Sequence, residues 1–129
     1  MKKPRQYIIV DDDRTNNLIC EYAVKGYDPG AKVMSFTNPE AALIHIKKEL
    51  ESENQLSTVL FVDVNMPAMS GWDFLEELEK LDHGITHKFT IYILSSSTED
   101  FNEEREQFPY VADFLSKPLS KSNLEQIQP

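Results

Sequence analysis

Five polar side chains stand at or just past the ends of short apolar runs in this sequence. They are Asp11, Asp12, Asp63, Ser95 and Lys117. Carboxylates gathered at one place repel one another, so either their pKa values rise or a cation offsets their charge. Carboxylate oxygens suit Mg²⁺, which keeps several water ligands that a substrate phosphate can replace. These residue types predict a Mg²⁺ site that accepts phosphate, provided that the fold brings them together.

Asp63 is the candidate nucleophile of this set. A carboxylate held against Mg²⁺ and Lys117 can attack phosphorus, because both cations offset charge on the equatorial phosphoryl oxygens. Ser95 can donate a hydrogen bond to one of those oxygens. The chemistry predicted from these residues is phosphoryl transfer onto Asp63. Asp13 is predicted instead to cap the helix that follows it.

Other candidate sites in the sequence are weaker. His83 and His87 are four residues apart, but Gly84 and a loop context disfavour a helical metal pair. Cys20 is the only cysteine, so no internal disulfide can form, and its place in a predicted helix favours a core position. The sequence has no glycine-rich phosphate loop of the dinucleotide-binding or P-loop kind.

The elements that must position the polar residues are strands alternating with helices. Apolar runs predict five strands, over 6–10, 32–36, 59–62, 89–94 and 110–115. Helical patterns predict five helices, over 14–25, after Asn38, after Gly71, over 99–107 and over 119–127. This alternation predicts an α/β fold with a parallel sheet and helices on both faces. The carboxyl ends of all strands then meet at one edge, which gathers the polar residues.

Local features define several of these helices. Asn38 followed by Pro39 is typical of a helix start, and Gly26 is a plausible end for the first helix. Apolar residues of that first helix recur at helical spacing at Leu18, Ile19, Tyr22 and Ala23. The fourth predicted helix is poorly amphipathic, with Phe101 and Phe108 as its main anchors. We expect it to be the most loosely held helix, because little apolar surface fixes it.

Length and composition are those of one soluble domain. The chain has 129 residues, 40% hydrophobic and 27% charged, so we expect a single domain over residues 1–129 and no output domain. The net charge of −9 disfavours direct nucleic-acid binding, which relies on basic patches. No apolar run approaches a transmembrane span, and the first residues lack the apolar region of a signal peptide. We therefore expect a cytoplasmic protein without membrane insertion.

Four short motifs together resemble the receiver domain of two-component response regulators, of the single-domain, chemotaxis-regulator-like type. They are Ile9-Val10-Asp11-Asp12, Val62-Asp63-Val64-Asn65-Met66-Pro67 with Gly71, Leu94-Ser95-Ser96, and Phe114-Leu115-Ser116-Lys117-Pro118. Each motif is weak alone, but their order makes the combination specific, and the resemblance spans about residues 6–127. It implies a flavodoxin-like, doubly wound sheet of five parallel strands in the order 2-1-3-4-5, with five helices in a single domain.

The resemblance also implies roles for the acidic residues and their loop. Asp63 would be the phosphoacceptor, and the donor would be a histidine kinase or a phosphotransfer protein. Asp12 would bind Mg²⁺ directly and Asp11 largely through water, while the backbone carbonyl of Asn65 would supply a third protein ligand.

The remaining roles implied by the resemblance concern the response to phosphorylation. Lys117 would pair with the phosphoryl group, and the Lys117–Pro118 peptide bond is expected to be cis. The Ser95 hydroxyl would move toward the phosphoryl group, and Phe114 would change rotamer. This sequence has Ser95 where threonine is commoner and Phe114 where many members have tyrosine.

The leading functional prediction is a signalling switch rather than an enzyme with a separate substrate. Its output would be a changed protein-binding surface around the fourth helix, fifth strand and fifth helix, used either to bind a downstream target or to pass the phosphoryl group along a relay. One alternative is an Asp-nucleophile phosphatase or phosphotransferase of the haloacid dehalogenase type, although Asn65 stands where that group has a second Asp. Another is a pseudo-receiver that binds partners without being phosphorylated, which the intact acidic set disfavours.

Overall fold

Strands and helices alternate along the whole of the computed structural model, which describes residues 6–51, 57–81, 89–95 and 101–127. The strands within these residues are β1 (Gln6–Val10), β2 (Lys32–Phe36), β3 (Thr58–Asp63), β4 (Phe89–Ser95) and β5 (Val111–Ser116). The helices are α1 (Arg14–Tyr27), α2 (Pro39–Glu51), α3 (Gly71–Leu81), α4 (Asn102–Gln107) and α5 (Lys121–Ile127). The predicted α/β alternation is therefore confirmed.

All five strands are parallel and form one sheet in the order β2-β1-β3-β4-β5. This order confirms the doubly wound topology. The chain builds outward from β1 to β2 and then turns back to add β3 on the other side of β1. A reversal of this kind opens a crevice at the carboxyl ends of β1 and β3, where α/β proteins place their ligands. The pairing of Val10 with Val62 brings the residues after β1 beside the end of β3.

The two faces of the sheet carry separate apolar layers, because successive strand side chains point in opposite directions. Ile8 and Leu60 face the layer that includes Ile46 of α2 and Phe74 of α3. The opposite layer contains Tyr7, Ile9, Phe61, Cys20, Val24 and Leu124, and so joins the sheet to α1 and α5. Every residue of β1 and β3 is buried. These two strands are therefore a rigid support for the groups at their ends.

Three large apolar residues of α1 lie on its exposed face. Leu18, Ile19 and Tyr22 are 58%, 43% and 84% exposed, respectively. Their helical spacing correctly predicts a helix, but the buried side is formed by other residues, namely Asn16, Asn17, Cys20 and Val24. The first turn of α1 packs beside the polar end of β1, where amide side chains find hydrogen-bond partners that apolar ones would leave unpaired.

The predicted end of α1 at Gly26 is wrong. The helix runs through Gly26 to Tyr27, and the N–H of Asp28 donates to the carbonyl of Val24 at 2.7 Å. Glycine weakens a helix interior without forbidding it, so this cap decides where the helix ends. At the other end, the Asp13 side chain accepts from the N–H groups of Thr15 and Asn16, which confirms its predicted capping role.

The second helix begins as predicted, and the fourth is weakly held. The Asn38 side chain accepts from the N–H of Glu40 at 2.8 Å, which caps α2. Helix α4 has six described residues, none of them buried. Phe108, directly after it, is buried. The first residues of the predicted 99–107 helix lie outside the described part of the chain.

Smaller differences concern element ends. Strand β4 extends to Ser95, β5 is Val111–Ser116 rather than 110–115, and α5 begins at Lys121 rather than 119. Among the described residues, the structure contains no helix with the length and apolar character needed to cross a bilayer.

Candidate functional site

Three carboxylates meet at the carboxyl edge of the sheet. One oxygen from each of Asp11, Asp12 and Asp63 lies within 4.8 Å of the others. Asp63 is the last residue of β3, and Asp11 and Asp12 directly follow β1. Asp11 and Asp63 are buried, whereas Asp12 is exposed. We call these three residues the acidic cluster. Carboxylates this close together are ligands that a divalent cation can bind.

Lys117 directly follows β5, and its side chain contacts two residues of the acidic cluster. Its ammonium nitrogen lies 2.7 Å from Oδ1 of Asp63 and 2.9 Å from Oδ2 of Asp11. The backbone N–H of Lys117 donates to the carbonyl of Ser95 at 2.9 Å, and the Lys117–Pro118 peptide bond is cis, as predicted. Lys117 thus joins two carboxylates that belong to different strands.

The electrostatic balance of the site is set by burial and by this shared lysine. Burial raises the pKa of Asp63, the hydrogen bond from Lys117 lowers it, and the charge of Asp11 raises it, with a net upward shift. For Lys117, burial lowers the pKa of the ammonium, but its hydrogen bonds to Asp63 and Asp11 and the charges of these carboxylates together raise it, with a net upward shift. Lys117 therefore stays protonated and offsets part of the negative charge of the acidic cluster. The remaining charge suits a divalent cation.

Two asparagines of α1 contact Asp11, Asn16 at its carboxylate and Asn17 at its backbone carbonyl. The N–H of Asp13 donates to Oδ1 of Asp11 at 2.9 Å, and Nδ2 of Asn16 donates to Oδ2. Nδ2 of Asn17 donates to the backbone carbonyl of Asp11 at 3.0 Å. Sequence reasoning missed Asn16 and Asn17. The signal that could have found them is their place on the same helical face as Cys20, where a polar side chain needs a buried partner.

The loop after Asp63 closes tightly on the strand that it leaves. The N–H of Val64 donates to the carbonyl of Leu94 at 3.1 Å, and the N–H of Gly71 donates to the carbonyl of Val64 at 2.8 Å. A Cβ at Gly71 would lie 2.6 Å from the Asp63 carbonyl oxygen and 3.0 Å from the Val64 Cα. Only glycine fits against this backbone. Asn65, which lies in the loop between Val64 and Gly71, is exposed.

Ser95 and Phe114 occupy different surroundings. Ser95 is the last residue of β4, 4% exposed, on the strand adjacent to the one that ends in Asp63. Phe114 lies in β5 and packs against the rings of Trp72 and Phe101. The structure therefore places Ser95 at a strand end and Phe114 among aromatic rings. Ser96 and the two histidines 83 and 87 lie outside the described residues.

Phe114 belongs to an aromatic cluster that also contains Trp72, Phe101 and Phe108. The Trp72 ring centroid lies 5.6, 5.5 and 5.9 Å from those of Phe101, Phe108 and Phe114, respectively. The guanidinium of Arg105 lies 4.4 Å from the centroid of Phe114. Phe101 and Phe108, the predicted anchors of α4, thus bind to the residue directly after Gly71. The cluster links the loop after Asp63 to α4 and β5.

Cys20 has no place in this chemistry. It is fully buried in the layer under α1, and burial raises the pKa of its thiol to about 12. The prediction that it is a core residue is confirmed. The acidic cluster, by contrast, borders an open cavity of about 300 Å³ lined by residues that include Asp12, Asn38 and Met66. Solvent and small ions can therefore reach Asp12.

The arrangement has the parts that phosphoryl transfer needs. A buried carboxylate, Asp63, lies beside an ammonium and next to two further carboxylates that can hold a cation. Positive charge at these positions offsets the charge that a transferring phosphoryl group brings to a carboxylate.

Comparisons with solved structures place this fold among known proteins. The chain is similar to a two-component response regulator from Cytophaga hutchinsonii, with 22% identity, a TM-score of 0.86, and coverage of 98% of this chain and 95% of that one. It is also similar to a response regulator receiver protein from Dyadobacter fermentans, with 23% identity, a TM-score of 0.78, and coverage of 96% and 98%. The chemotaxis protein CheY4 of Vibrio cholerae matches with 20% identity, a TM-score of 0.71, and coverage of 96% and 95%.

Comparison at the level of sequence gives the family. No curated protein sequence matches the chain. The family model of the response regulator receiver domain matches residues 7–128, which includes the acidic cluster and Lys117. The chain therefore belongs to the response regulator receiver domain family.

Proposed function

We propose that this protein is a phosphoacceptor of a two-component phosphorelay and that Asp63 is the residue phosphorylated. The observation that carries this proposal is the position of Lys117, whose ammonium contacts both Asp63 and Asp11 within the acidic cluster. A lysine held there can pair with a phosphoryl oxygen as soon as Asp63 acquires one. The proposed donor is a phosphohistidine of a histidine kinase or a phosphotransfer protein.

The proposed transfer has one bond-forming and one bond-breaking event. A carboxylate oxygen of Asp63 bonds to phosphorus while the P–N bond of the donor breaks, and the electron pair stays on the imidazole nitrogen of the donor. Lys117 and the hydroxyl of Ser95 stabilise the phosphoryl oxygens. Water later takes the phosphoryl group, which releases inorganic phosphate and restores the carboxylate of Asp63. The protein thus catalyses its own modification and acts as a switch, without turning over a separate substrate.

Mg²⁺ is the proposed cofactor. The carboxylates of Asp11, Asp12 and Asp63 and the backbone carbonyl of Asn65 would hold it, and this all-oxygen set fits the preference of Mg²⁺. Both carboxylate oxygens of Asp11 already accept hydrogen bonds, which favours contact through water. When bound, Mg²⁺ offsets negative charge on the transferring phosphoryl group.

The proposed output is a change in the surface formed by α4, β5 and α5. Helix α4 buries none of its described residues and is held through ring contacts among Trp72, Phe101 and Phe114. Such an element can exchange between arrangements at low cost in free energy. A rotamer change of Phe114 would break its own contacts with Trp72 and Phe101 and so loosen α4. A downstream protein would then bind the altered surface or receive the phosphoryl group.

Incubation with Mg²⁺ and a small acyl phosphate tests this function. The wild-type protein should gain the mass of one phosphoryl group, and neither the Asp63→Asn variant nor the wild type in EDTA should gain it. Intact-protein mass spectrometry measures the adduct. Absence of an adduct in the wild type would favour a pseudo-receiver. Turnover of small phosphate esters would favour the phosphatase alternative.

The donor protein is proposed to dock on the exposed apolar face of α1. Leu18, Ile19 and Tyr22 lie one to two turns beyond the acidic cluster, and a donor histidine must approach Asp63 at this rim. The double variant Leu18→Ala/Tyr22→Ala should slow phosphoryl transfer from a phosphotransfer protein about 30-fold, because two interface hot spots of about 1 kcal/mol each together contribute about 2 kcal/mol. Rapid-quench transfer assays measure this rate.

A small-molecule donor and a distant apolar residue provide the controls for this prediction. Phosphorylation by a small acyl phosphate should be unchanged in the double variant, because that donor needs no docking surface. Ile44→Ala removes an apolar side chain that is 59% exposed on α2 and should leave both reactions unchanged. Equal slowing of the two reactions in the double variant would refute docking at α1.

A further inference from the structure

One oxygen of the Asp11 carboxylate accepts hydrogen bonds from both a charged donor and an uncharged donor. Its Oδ2 atom accepts from the Lys117 ammonium at 2.9 Å and also from Nδ2 of Asn16. Asp11 is fully buried, so the loss of a donor is costly for its carboxylate. Lys117 is at the same time 2.7 Å from Asp63. The Lys117 ammonium therefore bridges two carboxylates, whereas the Asn16 amide donates only to that of Asp11.

Asn16 is itself held in a single orientation. The residue is 8% exposed, and its backbone N–H donates to Oδ1 of Asp13 at 3.3 Å in the helix cap. Besides its bond to Asp11, Nδ2 contacts Sγ of Cys20 at 3.8 Å. A flipped amide would turn its oxygen toward the Asp11 carboxylate, where two acceptors repel each other. The surroundings thus fix Asn16 as a donor.

We infer that Asn16 is a positioning residue that holds the Asp11 carboxylate for the cation site and allows Lys117 to leave Asp11 for the phosphoryl group. This inference rests on the proposed function. When Lys117 turns to the phosphoryl oxygens of Asp63, Asp11 keeps its hydrogen bond from Asn16. Without Asn16, Lys117 would be the sole side-chain donor to Oδ2 among the described contacts, so Asp11 would compete for it. Groups that orient a metal-ligating side chain typically change metal affinity by about 10- to 100-fold when removed.

Mg²⁺ titration of the unphosphorylated protein tests the inference. Trp72, the only tryptophan, directly follows Gly71 and reports on the loop through its fluorescence. Asn16→Leu keeps the size of the side chain but removes the donor, and should raise the half-saturating Mg²⁺ concentration at least about 10-fold. Asn16→Ala should give a similar shift and serves as a second variant in case leucine prevents folding.

Asn17→Leu is the matched control. Asn17 is the neighbouring asparagine, 3% exposed, and binds the backbone carbonyl of Asp11 instead of its carboxylate. Its replacement should lower stability but change half-saturation less than about 3-fold, because the Asp11 carboxylate keeps all three of its donors. A merely structural role for the asparagines would make the two variants behave alike.

A double-mutant comparison decides whether Asn16 acts through Asp11. In an Asp11→Asn background, Asn16→Leu should cause no further weakening of Mg²⁺ binding, because the carboxylate that it positions is gone. Equal weakening with and without Asp11, or wild-type Mg²⁺ affinity of both Asn16 variants, would overturn the inference. If the wild type itself shows no Mg²⁺ response, the proposed function fails and the inference falls with it.

Discussion

Replacing Lys117 with methionine is expected to abolish phosphorylation and to destabilise the fold. The ammonium lies 2.7 Å from Asp63 and 2.9 Å from Asp11, two carboxylates that are 4% and 0% exposed. Removing one partner of a buried ion pair typically costs about 3–5 kcal/mol, because the remaining charge stays buried without compensation. The phosphoryl group would also lose its lysine partner.

The loss of stability in Lys117→Met should depend on pH in a defined direction. The pKa of Asp63 is raised by burial, and in the wild type the hydrogen bond from Lys117 opposes this shift. Without the lysine, the folded-state pKa rises further above that of the unfolded chain. A raised carboxyl pKa means that the folded state binds protons more tightly, so stability falls as pH rises through that pKa.

Urea denaturation in EDTA, at about pH 5 and about pH 8, measures the free energy of unfolding and should show a larger deficit at the higher pH. Lys121→Met, an exposed lysine in α5, is the control and should change stability by less than about 0.5 kcal/mol. A Lys117→Met protein that accepts phosphate at the wild-type rate would contradict the role given to this lysine.

Gly71→Ala is expected to have the second large effect. The added Cβ would lie 2.6 Å from the Asp63 carbonyl oxygen, and both of its nearest neighbours are backbone atoms that no rotamer change can move. Overpacking of this kind costs about 1–3 kcal/mol of stability. The clash falls on the backbone of the nucleophile itself, and a displacement of about 1 Å can reduce a rate about 100-fold.

Gly26→Ala is the matched control, and we expect it to raise the stability of the fold instead of lowering it. Nothing lies within 4 Å of a Cβ at Gly26, which stands inside α1 without a positive φ. Alanine should therefore stabilise the protein by about 0.5–1 kcal/mol and leave phosphorylation unchanged. Thermal unfolding and the rate of adduct formation give both quantities for each variant. A Gly71→Ala protein as stable and as reactive as Gly26→Ala would show that the close approach at Gly71 is unimportant.

The sheet and its polar edge can be predicted from the sequence because they depend on the spacing of apolar residues and on the order of strands and helices along the chain. Apolar runs that end in Asp11 and Asp63 predict strands, and parallel strands bring their ends together whatever the details of packing. The cap at Asn38 is likewise local, since it needs only the residues that follow it. These predictions required no knowledge of distant contacts.

The features that could not be predicted from the sequence depend on contacts between residues that are far apart in the chain. Leu18 and Tyr22 are apolar at helical spacing yet exposed. The first turn of α1 faces the polar end of β1, so the buried side of the helix begins with Asn16 and Asn17. Likewise, the anchors of α4 could be identified, but their partner Trp72 lies far away in the chain. A pattern of hydrophobicity records which residues avoid water on average and does not record which neighbours supply hydrogen bonds.

Borohydride trapping tests the central claim, phosphorylation at Asp63, most directly. Sodium borohydride reduces an aspartyl phosphate to homoserine, and peptide mass spectrometry of the digested protein then identifies the position. After incubation with Mg²⁺ and an acyl phosphate, homoserine should appear at position 63 and at neither Asp11 nor Asp12. Homoserine at either of those residues, or a phosphoryl adduct that survives Asp63→Asn, would contradict the assignment of Asp63 as the phosphoacceptor.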